Sequence, residues 1–317
     1  MAIDFVKEIE RLKKEKNAVI MGHYYQTGDI QDIADYIGDS LALAQMARKT
    51  DADIIVLCGV HFMGETAKIL CPDKKVLVPD ATAGCSLADS CPADEFAKFV
   101  AEHPDHKVIS YVNTTAAVKA LTDVVVTSSN AKQIVESFPA DQKLIFGPDH
   151  NLGSYINKLT GRNMLLWNGA CHVHEKFSVE GIIKLKKEHP GAKVLVHPEC
   201  PAVVVALADK AGSTAGLLKY ALSSDAKEFI VATESGILHE MQKKAPEKVF
   251  IPAPPEYSEA KVGCSCNECN YMKQNTLEKV YLALRDEQPE VLIDEELRKK
   301  AVLPIDRMLE ISAKLGL

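Results

Sequence analysis

The chain has 317 residues, 47% hydrophobic and 26% charged, enough to bury a large core as two domains or as a few small ones packed together. Its 37 basic residues against 44 acidic ones give a net charge of −7, which disfavours nucleic acid and anionic membrane as partners. The stretch from Asp4 to Lys16 is charged and no apolar run approaches the ~20 residues of a membrane span, so a cytoplasmic protein is expected.

Short β-branched runs alternate with amphipathic stretches, the pattern of parallel strands joined by helices, so the fold class is α/β. In chain order, 17–25 (NAVIMGHYY) reads as a strand and 29–49 as a helix, with Ile30, Ile33, Ala34, Ile37, Leu41, Ala44 and Met46 at helical spacing. Strands follow at 53–62 (DIIVLCGVHF) and 75–82 (KVLVPDAT). The series recurs at 107–115 (KVISYVNTT), 123–131 (DVVVTSSNA) and 143–151 (KLIFGPDHN), then at 193–201 (KVLVHPECP), 228–236 (EFIVATESG) and 248–255 (KVFIPAPP). A period of roughly 86 to 90 residues is too long for a solenoid unit. It predicts three small three-layer αβα domains with short parallel sheets, related by pseudo-threefold symmetry around a central site, with one doubly wound sheet as the alternative. The expected division is 1–85 with 256–317 packing back on it, 86–170, and 171–255.

Most of these strands end in polar residues, among them His23, Tyr25, Tyr111, Asn113, Ser128, His197 and Glu199. Parallel sheets bind ligands beyond the carboxyl ends of their strands, so three modules aiming these ends at one axis would enclose a polar cavity.

Nine cysteines, an odd number, argue against a disulfide framework. Cys85, Cys171 and the cluster Cys264, Cys266 and Cys269 fall one context per module, and the cluster lacks the second ligand pair of a local zinc site. One thiolate from each module would instead give three ligands for a four-iron cluster with one iron open to substrate as a Lewis acid. Two other classes are weighed: an electron carrier, which wants a fourth cysteine, and a zinc-stabilised nucleic-acid module, which wants a basic surface.

Long ordered strings, GHYYQ (22–26), GDSLALAQMA (38–47), SYVNTTAAVKA (110–120), FGPDHNLG (146–153), WNGACHVHEKF (167–177), HPEC (197–200) and ATESGI (232–237), resemble the quinolinate synthase family, the A protein of de novo NAD biosynthesis, over nearly the whole chain. The resemblance implies condensation of iminoaspartate with dihydroxyacetone phosphate, with loss of phosphate and two waters. It also implies three pseudosymmetric α/β domains, a [4Fe-4S] cluster held by Cys85, Cys171 and Cys269, and L-aspartate oxidase as a transient partner. The chain departs from the family's CxxCxxC-Pro string: Cys264 and Cys266 stand only two apart and Asn270 follows Cys269, which leaves Cys264 and Cys266 as rivals for the third ligand. A helix beginning near Tyr271 would favour a thiolate at Cys269.

That chemistry needs acid/base groups, anion donors and an electrophile. Glu199 is the expected general base, and His23 and His197, at matched strand positions, could bind a carboxylate or move protons near neutral pH. Tyr25 and Tyr111 offer phenolic donors to an enolate oxygen, and Asn113 can hold a carbonyl or carboxylate. Ser40, Ser128 and Thr214 lie in small-residue helix starts suited to phosphate or carboxylate, with simple N-capping as the plain alternative. His174 is a further substrate or ligand-supporting contact; His172 and Tyr24 are read as structural.

Overall fold

A computed structural model describes residues 3–256 and 267–316. It is α/β, with three separate four-stranded parallel sheets. The first contains β1 (Ala18–His23), β2 (Tyr36–Gly38), β3 (Ile54–Cys58) and β4 (Lys75–Leu77) in the order β2-β1-β3-β4. The second has β5 (Lys107–Tyr111), β6 (Val124–Val126), β7 (Leu144–Gly147) and β8 (Leu165–Leu166), and the third β9 (Lys193–Val196), β10 (Lys210–Ala211), β11 (Glu228–Ala232) and β12 (Val249–Pro252). Both repeat the order of the first, β6-β5-β7-β8 and β10-β9-β11-β12.

The sheets have one strand more than the sequence pattern predicts. β2, β8 and β10 are edge strands of three, two and two residues, too short to leave an apolar run. For β2 the consequence is a broken helix: the 29–49 segment divides into a helix at Gly28–Ile33, the strand Tyr36–Gly38, and a helix at Ser40–Lys49 whose first turn is capped by Asp39.

A repeated aspartate sets the register of each module. Asp35, Asp123 and Asp209 stand just before an edge strand, and each carboxylate accepts the backbone N–H of a central-strand residue, Ile20, Val108 and Val194 respectively, at 2.8, 2.9 and 2.8 Å. Each aspartate returns its own N–H to the carbonyl of the same residue. Lys13, Lys107 and Lys193 pair with the three carboxylates. This makes Ile20, Val108 and Val194 equivalent, and with them His23, Tyr111 and His197, then Tyr25, Asn113 and Glu199.

The apolar cores flank the sheets, and the largest reaches the cavity wall through Val60, Phe62, Met63 and Val112. The N-terminal helix Phe5–Glu15 and the helix Leu277–Asp286 pack on each other and cover β1 and β3 with Ile9, Leu12, Val280 and Leu284. The long helix Glu295–Lys314 places Ala301, Ile305 and Met308 in a core shared with β6 and with the helix His61–Leu70. Among the described residues no helix is long and apolar enough to cross a membrane.

Ile55, fully buried in β3, contrasts with Leu292, which is 78% exposed. Ile55→Ala is expected to cost ~2–5 kcal/mol in urea unfolding, and Leu292→Ala under ~0.5 kcal/mol. Equal losses would contradict the assigned core.

Candidate active site

In a 2-1-3-4 parallel sheet the crevice forms where neighbouring connections leave the central strands in opposite directions, beyond their carboxyl ends. In all three modules those ends face one cavity of about 720 Å³ including its mouth. Every site residue expected from the sequence lines it: His23, Tyr25, Ser40, Cys85, Tyr111, Asn113, Ser128, Cys171, His174, His197, Glu199, Thr214 and Cys269. Cys264 and Cys266 lie outside the described residues.

The walls are joined by polar contacts between modules. The Tyr25 hydroxyl lies 2.7 Å from both Thr214 Oγ1 and Thr233 Oγ1, and the Tyr111 hydroxyl donates to Glu199 Oε1 at 2.6 Å. His197 Nε2 is 3.3 Å from Ser128 Oγ, and Ser129 donates to Asp39 at 2.7 Å. Burial raises both phenols well above the ordinary tyrosine range, with Glu199 adding to it, so both keep their protons.

Glu199 is 3% exposed. Burial alone would raise its carboxyl, but His174, His197 and the Tyr111 hydroxyl outweigh that and bring it down to about 2, so it is ionised. His174 Nδ1 stands 3.3 Å from its Oε2, and His174 Nε2 is 2.9 Å from Thr233 Oγ1.

His23 and His197 differ from expectation. Burial lowers both to about 3, against a weaker upward pull from Glu199, so neither titrates near neutrality. Each Nδ1 accepts a backbone N–H two residues on, from Tyr25 at 3.1 Å and Glu199 at 3.3 Å. That bond assigns the proton of each neutral ring to Nε2, making the two residues equivalent donors.

N-capping does not account for Ser40 and Thr214, because the capping bonds of their helices come from the preceding residues, Asp39 to Ala42 N and Ser213 to Gly216 N. Asn113 Oδ1 and Thr127 Oγ1 are buried with no hydrogen-bond partner among the described residues, as expected of groups that receive a ligand or water.

The three thiols share a local design. Burial pushes Cys85 up to about 12 and raises Cys171 and Cys269 too. Against this act the backbone N–H groups two and three residues on: Leu87 and Ala88, Val173 and His174, Tyr271 and Met272. Each loop thus turns N–H dipoles toward sulfur and favours a thiolate ligand. The expected helix near Tyr271 is only a 3₁₀ turn at Met272–Gln274, with the α-helix starting at Leu277, so at Cys269 these local amides act in place of a helix dipole. Cys171 Sγ, His174 Nδ1 and a Glu199 oxygen also lie within 4.8 Å of one another, a group able to hold a metal ion.

Two lining residues were given no site role from the sequence. His172, read as structural, reaches the cavity with Nδ1 2.6 Å from Ser86 Oγ. Glu234 also lines it, paired with Lys273. The ATESG string contains Glu234, but its distant partner leaves no local signal.

Fold and site together define a three-module α/β enzyme with a thiol-lined small-molecule cavity. The profile of the quinolinate synthetase A protein family matches residues 7–310, and the chain belongs to that family. It is 60% identical over 309 residues to the quinolinate synthase of Microcystis aeruginosa, covering 98% of this chain and 95% of that protein. It is 57% identical over 310 residues to the quinolinate synthase of Chloroherpeton thalassium (98% and 95% covered), and 57% identical over 309 residues to that of Trichodesmium erythraeum (98% and 94%).

The buried neutral imidazoles link stability to pH. An unfolded histidine binds a proton below pH ~6.5 whereas His23 and His197 stay neutral down to about 3, so their contribution is full above ~6.5 and lost as pH falls toward 3. Glu199 contributes fully above ~4.3 and loses it toward 2. Urea unfolding should weaken from pH ~7 to ~4.5 by up to ~1.4 kcal/mol per pH unit for each histidine, and His23→Gln/His197→Gln should flatten that slope. An unchanged slope in the double variant would show that the imidazoles are not held neutral.

Proposed function

We propose that this protein is a quinolinate synthase that condenses iminoaspartate with dihydroxyacetone phosphate, releasing phosphate and two waters, in the cavity between its modules. The observation that carries the reading is the meeting of three cysteines, one from each sequence context, with the buried Glu199 carboxylate in one cavity. The module division 1–85 with 256–317, 86–170 and 171–255 belongs to the same reading, and each part contains one four-stranded sheet. So do a cytoplasmic setting and a transient contact with L-aspartate oxidase as the source of iminoaspartate.

Cys85, Cys171 and Cys269 would hold a [4Fe-4S] cluster, and the backbone amides turned toward each sulfur fit such a role. When bound, the cluster supplies an iron without a protein ligand, a Lewis acid toward a leaving hydroxyl. The protein's own residues do the rest. Glu199, ionised and within reach of the Tyr111 proton, removes protons from carbon or nitrogen as the ring closes. His23 and His197, as neutral Nε2–H donors, bind substrate carboxylate without adding charge. Tyr25 and Tyr111, held protonated, stabilise enolate oxygen, and Asn113 receives a polar group that its buried oxygen otherwise lacks. Ser40, Ser128 and Thr214, one near a helix start in each module, surround phosphate or carboxylate, and His174 holds Glu199 against the Cys171 side of the cavity.

Anaerobically purified protein should contain iron and sulfide, show the paramagnetic signal of a four-iron cluster on reduction, and form quinolinate from the two substrates. Glu199→Gln should keep that signal while turnover falls at least ~10²-fold. Turnover near wild type would remove Glu199 as the base, and an iron-free active protein would remove the cluster.

A further inference from the structure

Cys85 and Cys171 follow β4 and β8 after short loops, whereas Cys269 stands well beyond β12, so its place in the cavity depends on contacts to other elements. The backbone of the cysteine is held by a carboxylate. Glu234 Oε1 accepts the backbone N–H of Cys269 at 3.1 Å and pairs with Lys273 Nζ at 2.8 Å, while its Oε2 accepts the Gly236 N–H at 2.7 Å. Lys273 in turn donates to the Tyr25 carbonyl at 2.7 Å. Glu234 is 1% exposed. The segment is also pinned just before the cysteine: Ser235 N–H donates to the Asn267 carbonyl at 3.1 Å, and the Asn267 side chain donates to the Val173 carbonyl at 3.1 Å. Gly236 allows this closeness, since a Cβ there would lie 2.7 Å from the Tyr25 carbonyl carbon.

A buried ion pair is a poor device for stability, because desolvating two charges offsets most of their attraction; its best attested use is to select one arrangement over its neighbours. Here the pair joins the end of β11, the cysteine segment and the Tyr25 loop at one point. We propose that Glu234 and Lys273 form a latch that positions Cys269, fixing the third thiol opposite Cys85 and Cys171. The inference rests on the reading above, in which Cys269 is the third thiolate. Glu234 and Lys273 are positioning residues: the pair acts through the backbone of the cysteine and not on substrate.

The test uses the full chain as wild type, Glu234→Gln, Lys273→Met, Lys273→Arg and Cys269→Ala. Timed iodoacetamide labelling of the metal-free chain, followed by peptide mapping, reads each thiol separately. Glu234→Gln and Lys273→Met should label Cys269 about tenfold faster, with Cys85 and Cys171 within about twofold of wild type and Lys273→Arg restored toward it. They should also take up less iron on anaerobic reconstitution, with far-ultraviolet circular dichroism unchanged. Faster labelling of all three thiols, or no change at Cys269, overturns the latch. If Glu234→Gln fails to fold, Lys273→Met and Lys273→Arg decide alone. Full iron uptake by Cys269→Ala would overturn the ligand reading and leave the latch to be judged by labelling. Loss of iron in Cys269→Ala, with wild-type labelling and iron uptake in Glu234→Gln, would overturn the latch alone.

Discussion

An ionised carboxylate at 3% exposure is strongly unfavourable unless donors surround it, and Glu199 meets that condition only when separate parts of the chain are docked. Tyr111 arrives from the end of β5 and His174 from the loop beyond β8. The same rule governs the neighbouring contacts, Tyr25 with Thr214 and Thr233, and Ser129 with Asp39. Each closes a hydrogen bond across the axis, so losing one donor leaves a buried acceptor unmet. The axis is therefore specified by polar matching, and small displacements of one sheet against another are penalised.

Much of this was legible because its signals are local. The long apolar runs of the central strands and their recurrence exposed a threefold α/β plan, and the polar residues at their ends mark the cavity. The edge strands β2, β8 and β10 were not legible, since two or three residues carry no periodicity, and their omission turned 29–49 into one helix. Asp35 and Asp209 could have revealed β2 and β10, since Asp123 holds the same place before the legible edge strand β6, whereas β8, on the opposite edge of its sheet, follows no such aspartate. The protonation of His23 and His197 was out of reach because burial decides it, and a strand-end histidine reads the same whether it faces water or a closed cavity. Glu234 was legible as a polar strand end but its role was not, because its partner Lys273 lies far along the chain.

Three small sheets solve a problem that one large sheet would not. A doubly wound sheet has one row of strand ends and so a crevice open along one side, whereas three sheets turned inward enclose a site from three directions. Their strands are short, from two to six residues, so no module has a large core of its own. The remedy is the outer packing: Leu277–Asp286 against β3 with the N-terminal helix, and Glu295–Lys314 across the helix His61–Leu70 and β6. Apolar burial around the sheets thus permits a cavity that keeps polar groups such as Asn113 Oδ1 and Thr127 Oγ1 unmatched by the described residues. A site tuned only for stability would fill or pair those positions; an amide oxygen and a hydroxyl left open can take hydrogen bonds from a ligand or water, and the stability they forgo has to come from elsewhere.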